Sequence, residues 1–201
     1  MLDRRELGRL LGAVERNDVW QRDFPGKRER DRLLLALFAY AGLRRSELLG
    51  LDWDDVDLER RLLRIRKAKG GRQRIVPIHP GLEPLIVSYL QFRISDPEQA
   101  LFVRVQGKRL SPTIMTQTFL RYARAAGVTE RKRVTPHTLR HVFASELLRA
   151  GANLRQIQEL LGHKHLDSTQ RYTRVTGHEL RGAVKRLRWA GDRPPPSAAA
   201  K

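Results

Sequence analysis

The sequence predicts an α+β fold that is mainly α-helical and contains one small antiparallel β-sheet. Helix-capping signals recur in its second half, where Ser-Pro, Thr-Pro and Asn begin segments that glycines end. Its first half contains two short aliphatic runs, residues 62–66 and 74–78, separated by a polar segment with two glycines. The length of 201 residues suits one well-buried domain.

Two helices are predicted in the first half of the chain. Residues 32–40 are almost continuously apolar, which predicts a buried helix, and Gly42 ends it in the left-handed conformation that glycine favours. Ser46 is the predicted N-cap of a second, short helix that extends through Leu51. The turn between the two helices then contains Leu43, Arg44 and Arg45.

A β-hairpin is predicted next. Residues 62–66 and 74–78 are its strands, and the polar residues 67–73 are its loop. Pro80 introduces a helix over residues 82–92, and residues 101–103 predict a short additional strand.

The second half of the chain is predicted to be nearly all helical. Three helices have N-caps at Ser111, Thr135 and Asn153, the last with Gln156 in the capping-box position. Glycines end these helices, at positions Gly127, Gly151 and Gly162. A short helix is expected near Asp167 or Ser168, and residues 178–189 form the last one. Residues 191–201, with three consecutive prolines and a run of alanines, predict a disordered tail.

The charge of the chain indicates a polyanionic partner. The formal net charge is +18 and the isoelectric point is about 11.3. Nucleic acid is the first expectation and an anionic membrane surface the second, while a basic surface without a partner is the alternative. The basic residues are spread along the chain rather than gathered on one amphipathic helix, which favours nucleic acid.

Other features of the composition exclude classes of protein. The absence of cysteine excludes disulfides, thiol nucleophiles and cysteine-ligated zinc. No apolar run reaches membrane-spanning length, and no apolar segment follows the charged N-terminus. We therefore expect a cytoplasmic protein.

The segment around His137 and Arg140 suits a phosphate group. These side chains lie three positions apart at a predicted helix start, so both project from one face. Helix N-termini attract anions, and arginine can bind two phosphate oxygens at once. An ordinary surface pair is the alternative.

Three further segments could carry chemistry. Arg44 lies in a tight turn, although a salt bridge to Glu47 would explain it equally well. Lys67 or Lys69 could reach a ligand from the hairpin loop, or simply be solvated. Tyr172 follows His163 by nine residues and could be a nucleophile in a cationic environment, or a packing residue.

The acidic residues between positions 52 and 57 do not have the spacing of a calcium loop. An EF-hand counted from Asp52 would need glycine at its sixth position and glutamate at its twelfth, which is Leu63 here. We interpret this segment as a solvated turn and predict no metal site.

Together these motifs resemble those of the tyrosine recombinases, the Xer-like and phage-integrase group. Residues 42–48 (Gly-Leu-Arg-Arg-Ser-Glu-Leu) resemble the first-arginine motif, and residues 69–77 resemble the lysine-bearing β-hairpin. Residues 136–141 (Pro-His-Thr-Leu-Arg-His) are similar to the family's His-x-x-Arg box, and residues 161–173 to its last box, which ends in the tyrosine. The order and spacing agree over residues 5–189.

The resemblance implies an integrase-like catalytic domain that cleaves and rejoins DNA through a 3′-phosphotyrosyl bond. Tyr172 would be the nucleophile, and neither ATP nor a metal or other cofactor would be needed. The implied catalytic residues are Arg44, Lys69, His137, Arg140, His163 and Tyr172. Lys67 remains an alternative to Lys69. Further DNA contacts are expected from Arg45, Lys67, Arg72, Arg74 and His141.

The resemblance also implies partners and a domain organisation. Residues 1–190 would be the catalytic domain, without the N-terminal core-binding domain that the family usually carries. The expected partner is double-stranded DNA, which would associate the protein with the nucleoid. A free monomer would assemble into a homotetramer on DNA, with the helix at 178–189 docking on a neighbouring subunit. A type IB topoisomerase or a DNA-binding module without catalysis are the alternatives.

Overall fold

The computed structural model describes residues 2–16, 25–66, 73–92, 99–104, 107–129, 134–162 and 175–188. Within these residues the fold is mainly helical with one three-stranded antiparallel sheet, as predicted. The predicted short helix near residue 167 and the tail at 191–201 lie outside the described residues.

Helix α2 (Lys27–Ala41) lies at the centre of the core, since every residue from Leu33 to Ala41 is buried. It packs against α1 (Arg4–Gly12), α4 (Glu83–Leu90) and α6 (Pro136–Arg149). Gly42 ends α2 with φ +59°, which confirms the predicted left-handed C-cap. The helix begins earlier than predicted because its charged first turns are also buried, through ion pairs of Asp31 with Lys27 and Arg30.

The short helix α3 (Arg45–Leu49) begins one residue earlier than its predicted cap, so the assignment of Ser46 as N-cap is wrong. Arg44 occupies the cap position with an extended backbone. Its N–H group donates a 2.8 Å hydrogen bond to the carboxylate of Glu47 at the third helical position. This bond satisfies a backbone donor at the helix start and fixes the backbone of Arg44.

The hairpin is confirmed as strands β2 (Leu62–Ile65) and β3 (Arg74–Pro77), and β1 (Val56–Asp57) pairs with the outer side of β2. Ile65 opposes Arg74 at the loop end of the hairpin. The predicted strand at 101–103 is wrong. Residues there form only isolated bridges, because this buried segment is hydrogen-bonded to the loop ends at Leu51 and Leu110.

The predicted helices of the second half are confirmed as α5 (Pro112–Ala125), α6 and α7 (Leu154–Leu161). The side chains of Ser111, Thr135 and Asn153 accept the expected N-cap hydrogen bonds. The predicted helix at 82–92 is α4, which has proline in its first turn. None of the helices in the described ranges has the length and apolarity needed to cross a membrane.

The apolar stripe of the last described helix, α8 (Gly177–Lys185), is covered within its own chain. Leu180, Val184 and Leu187 are buried against their own domain, where α8 packs on α7 and β3. The expected docking on a neighbouring subunit stays a prediction for the DNA-bound assembly. The buried ring of His79 adds a 3.2 Å hydrogen bond to the carbonyl oxygen of Leu187. A complementary surface is thus available within the same chain, so the stripe is already covered.

Candidate active site

Arg44 is held at the turn between α2 and α3 with its side chain 38% exposed. Its Nη1 donates a 2.8 Å hydrogen bond to Oε1 of Glu47, so the predicted salt bridge is present. Because the guanidinium has five N–H donors, this contact orients the group and leaves donors directed to solvent. The salt bridge and a ligand-binding role are therefore compatible.

Arg140, on the second turn of α6, is almost completely buried behind this turn. Its Nη1 donates to the carbonyl oxygen of Gly42 at 2.7 Å, and its Nη2 donates to that of Leu161 at 2.5 Å. Burial, followed by the nearby charge of Arg44, lowers the pKa of Arg140 to about 10. The group stays protonated at neutral pH, and its position is fixed by two different elements.

His137 and His141 lie on successive turns of α6, with their rings edge to face and 4.5 Å between centroids. Both side chains are exposed. Desolvation, and then the charges of His141, Arg140 and Arg44, lower the pKa of His137 below its ordinary value of 6.5. Because the charges of Arg44 and Arg140 both act on His137, these three predicted site residues lie close together. His137 is therefore neutral at pH 7 and can accept a proton.

Glu47 is the buried centre of this arrangement. Its side chain has no exposed area, and its carboxylate accepts hydrogen bonds from Arg44 and Arg74. Burial alone would raise the pKa of this carboxyl, but the contacts to Arg74 and Arg44 outweigh it and hold the pKa at about 2. Sequence reasoning considered Glu47 only as a partner of Arg44. The apolar residues that follow it, Leu48 and Leu49, are the sequence signal that this face of α3 is buried.

Arg74 does not lie where a DNA contact would. Its side chain is only 6% exposed, and its guanidinium forms two 2.8 Å hydrogen bonds to Glu47 and a third, through Nε, to the carbonyl oxygen of Leu160. The expectation that Arg74 contacts DNA is therefore wrong. Arg74 is the first residue of β3, and its side chain points into the interior. Side chains alternate between the two faces of a strand, but this alternation alone does not predict which face is buried.

The remaining predicted residues fall into two groups. Arg45 is exposed at the start of α3, as a DNA contact requires. The others lie outside the described residues: Lys67, Lys69, Arg72, His163 and Tyr172. The choice between Lys67 and Lys69 stays open.

Three of the four tyrosines are buried, namely Tyr40, Tyr89 and Tyr122. The hydroxyl of Tyr122 donates to the buried carboxylate of Asp31 at 3.0 Å, and burial and this neighbour raise the pKa of the phenol. Burial likewise raises the pKa of Tyr89 to about 12. None of these three phenols is accessible to a macromolecular substrate, and Tyr172 lies outside the described residues.

The acidic segment after α3 is not the solvated turn that we expected. The carboxylate of Asp55 is buried and paired with Arg66, which follows the last residue of β2. Arg109 bonds to Asp52 at 2.7 Å and to the carbonyl oxygens of Leu49 and Leu51. Ion pairs within the fold explain these carboxylates. In the described part of the chain, no three His, Asp or Glu side chains are grouped as metal ligands would be.

Comparison with known proteins agrees with this geometry. The model of the Phage integrase family matches residues 1–179. The chain is 43% identical over 190 residues to the tyrosine recombinase XerA of Thermococcus kodakarensis, an alignment that covers 93% of the chain and 62% of that relative.

Two solved structures are similar to the chain over most of its length. The crystal structure of XerA recombinase matches with a TM-score of 0.71 and 31% identity, covering 90% of this chain and 61% of that one. The XerH site-specific recombinase bound to its difH substrate matches with a TM-score of 0.69 and 28% identity, covering 82% and 47%. The chain spans less than two thirds of the length of these relatives. Because the family model matches residues 1–179, the chain belongs to the phage integrase family.

Proposed function

We propose that the chain acts in site-specific recombination, cleaving and rejoining DNA strands through a 3′-phosphotyrosyl intermediate. The observation that carries the proposal is the convergence of Arg44 and Arg140, from two separate segments, on the buried carboxylate of Glu47, with His137 close enough to both arginines to feel their charge. If His137 and Arg140 were an ordinary surface pair, the guanidinium of Arg140 would not need to be buried. Two fixed arginines beside a neutral imidazole are suited to a phosphodiester.

The proposed reaction begins at Tyr172. Its phenolic oxygen attacks the scissile phosphorus, a P–O bond to tyrosine forms, and the bond to the 5′-oxygen breaks. Arg44 and Arg140 stabilise the charge that builds on the non-bridging oxygens, and losing one such donor typically costs about 3–4 kcal/mol. A 5′-hydroxyl then attacks the phosphotyrosyl bond, restoring the phosphodiester and releasing the phenol.

Proton transfers are assigned by residue type. Histidine at position 137 or 163 assists removal of the phenolic proton, and the lowered pKa of His137 favours its neutral form, which is the form that can accept that proton. Lys69, or Lys67 in its place, donates a proton to the departing 5′-oxygen. The energy of the broken bond stays in the covalent intermediate, so the reaction as proposed uses neither ATP nor a metal.

The proposed partner is double-stranded DNA, which supports a location with the chromosome. The net charge of +18 supports this partner, and so does the similarity to XerH, a site-specific recombinase whose structure contains its difH substrate. We further propose a monomer when free and a homotetramer on DNA. A type IB topoisomerase would need the same residue types, but similar relatives are named tyrosine recombinases.

The test uses the full chain and a pool of nicked suicide duplexes with randomised core sequence. The wild-type protein should form covalent protein–DNA adducts that resist denaturant, and Tyr172→Phe should form none while still binding DNA. Tyr122→Phe is the matched control and should retain adduct formation, since its phenol is buried against Asp31. Adducts of undiminished yield in Tyr172→Phe would refute the assignment of the nucleophile.

A further inference from the structure

We propose that Arg74 is a positioning residue for strand cleavage, which holds Arg44 and Arg140 in place through Glu47 and through the end of α7. This inference rests on the proposed function. It replaces the DNA contact expected for Arg74 with a role inside the protein.

The carboxylate of Glu47 is shared between Arg44 and Arg74 at both oxygens. Oε1 accepts from Nη1 of each arginine, and Oε2 accepts from the backbone N–H of Arg44 and from Nη2 of Arg74, all at 2.8 Å. Nη1 of Arg140 lies 3.8 Å from Oε2. A rotation of this carboxylate would therefore move the partner atoms of Arg44, and the planar fork of Arg74 is what opposes that rotation.

Arg74 and Arg140 also hold the same helix end. Nε of Arg74 donates to the carbonyl oxygen of Leu160 at 2.8 Å, and Nη2 of Arg140 donates to that of Leu161. Gly162 adopts φ +64°, and a Cβ there would lie 3.1 Å from Cδ of Arg74. The end of α7 is thus pressed against the Arg74 side chain, so a displacement of Arg74 would be transmitted to Arg140 as well.

The shape of the guanidinium, beyond its charge, is required for this role. Arginine presents donors in a fixed plane, so one side chain can bridge both carboxylate oxygens and a carbonyl group. A lysine at position 74 would keep the positive charge beside Glu47 but could not reproduce three fixed contacts. Arg74→Lys therefore separates positioning from charge, and Arg74→Met removes both.

The experiment compares the full-length wild type, Arg74→Lys, Arg74→Met, Glu47→Gln and the Arg74→Lys/Glu47→Gln double variant on a suicide duplex selected with the wild type. Two quantities are measured: the single-turnover cleavage rate at saturating protein, and the dissociation constant as a function of salt. Arg124→Lys and Arg124→Met are the matched controls at an exposed arginine of α5.

We expect Arg74→Lys to lower the saturated cleavage rate about 10- to 100-fold, since small misplacements of catalytic groups have effects of this size. Its dissociation constant and salt slope should match the wild type. In a Glu47→Gln background Arg74→Lys should have little further effect on the cleavage rate, because both changes break the same interaction between Arg74 and Glu47. If Arg74→Lys acted only by lowering the stability of the protein, its effect on the cleavage rate would instead add to that of Glu47→Gln.

Other results would overturn the inference. A wild-type saturated rate in Arg74→Lys would remove any positioning role. In Arg74→Met, which removes the charge, a salt slope reduced by about 1 with an unchanged saturated rate would return Arg74 to the phosphate contacts. Should Arg74→Met not fold, Arg74→Lys still decides the matter. Absence of adducts from the wild type under the same conditions would refute the proposed function itself and this inference with it.

Discussion

Nη1 of Arg140 donates a 2.7 Å hydrogen bond to the carbonyl oxygen of Gly42. Gly42 ends α2, and Arg44 follows two residues later at the start of α3. The two arginines proposed to bind phosphate are therefore joined through the backbone of one turn. The left-handed conformation of this glycine determines both the direction of the turn and the placement of the carbonyl group that receives Arg140.

Gly42→Ala should destabilise the protein strongly. The left-handed conformation costs a non-glycine residue about 1–2 kcal/mol, and a Cβ at position 42 would lie 2.3 Å from the buried ring of Phe143. Overpacking of this kind adds about 1–3 kcal/mol. Gly127→Ala is the matched control, because Gly127 has φ +65° but open space around its Cβ position. Urea unfolding should show the larger loss for Gly42→Ala; equal losses would contradict the proposed clash.

Glu47→Gln should destabilise the protein in a pH-dependent manner. The pKa of Glu47 is about 2 in the folded state, against an ordinary value of 4.5. The ionised carboxylate thus contributes stability that is fully present above pH 4.5 and is lost as the pH falls towards 2. At neutral pH this contribution is about 3 kcal/mol, at about 1.4 kcal/mol per pKa unit.

The measurement is the free energy of unfolding of wild type and Glu47→Gln between pH 7 and pH 2. The difference between them should be largest at neutral pH and should narrow steadily below pH 5. Glu59→Gln, at an exposed carboxylate, is the control and should show little difference at any pH. A gap that widens on acidification would show that Glu47 is not stabilised by its arginines.

His141→Ala should raise the pKa of His137. Both the desolvation of the His137 ring and its electrostatic interaction with His141 lower that pKa, and the substitution weakens both. An NMR titration of the His137 ring protons measures the change. His178→Ala, on the exposed side of α8, should leave the His137 titration unaltered. A lower pKa in His141→Ala would mean that the two rings do not interact as described.

Leu187→Ala should destabilise the free monomer. Leu187 is 1% exposed in contact with its own domain, and truncation of a buried leucine typically costs about 2–5 kcal/mol. Leu154→Ala is the control at a leucine that is 67% exposed, where surface changes stay within about 0.5 kcal/mol. Unfolding should be followed in dilute solution at two protein concentrations. A stability loss that appears only at high concentration would favour docking on a neighbouring subunit instead.

DNA binding should depend strongly on salt. If about 6–10 phosphates are contacted, the affinity should fall by roughly 10³–10⁵ between 50 and 200 mM salt. Fluorescence anisotropy with a labelled duplex measures this slope. Arg45→Met should reduce it by about 1, since the residue is exposed beside the site. A flat salt response in the wild type would mean that the net charge of +18 does not serve DNA binding.

The features that sequence predicted correctly are those determined by near neighbours. The caps at Ser111, Thr135 and Asn153 each depend on a bond to a group three residues away. The catalytic roles that motif spacing assigned to Arg44, His137 and Arg140 stay predictions.

The errors concern contacts between distant segments. The burial of Arg74 depends on Glu47 and Leu160, which lie 27 and 86 residues away. Periodicity indicates that a face is apolar but not which surface covers it. Charge likewise does not indicate whether an arginine faces solvent or a buried carboxylate.

The long reach of these bonds has a consequence for folding. The bonds from Arg140 to Gly42 and from Arg74 to Leu160 join residues 98 and 86 positions apart. Contacts of such high sequence separation form only after long loops have closed, and therefore late in the folding reaction. A nascent chain still on the ribosome cannot assemble the paired arginines before α6 and α7 have been synthesised and docked. Under the proposed function, partly folded molecules would be unable to nick the chromosome.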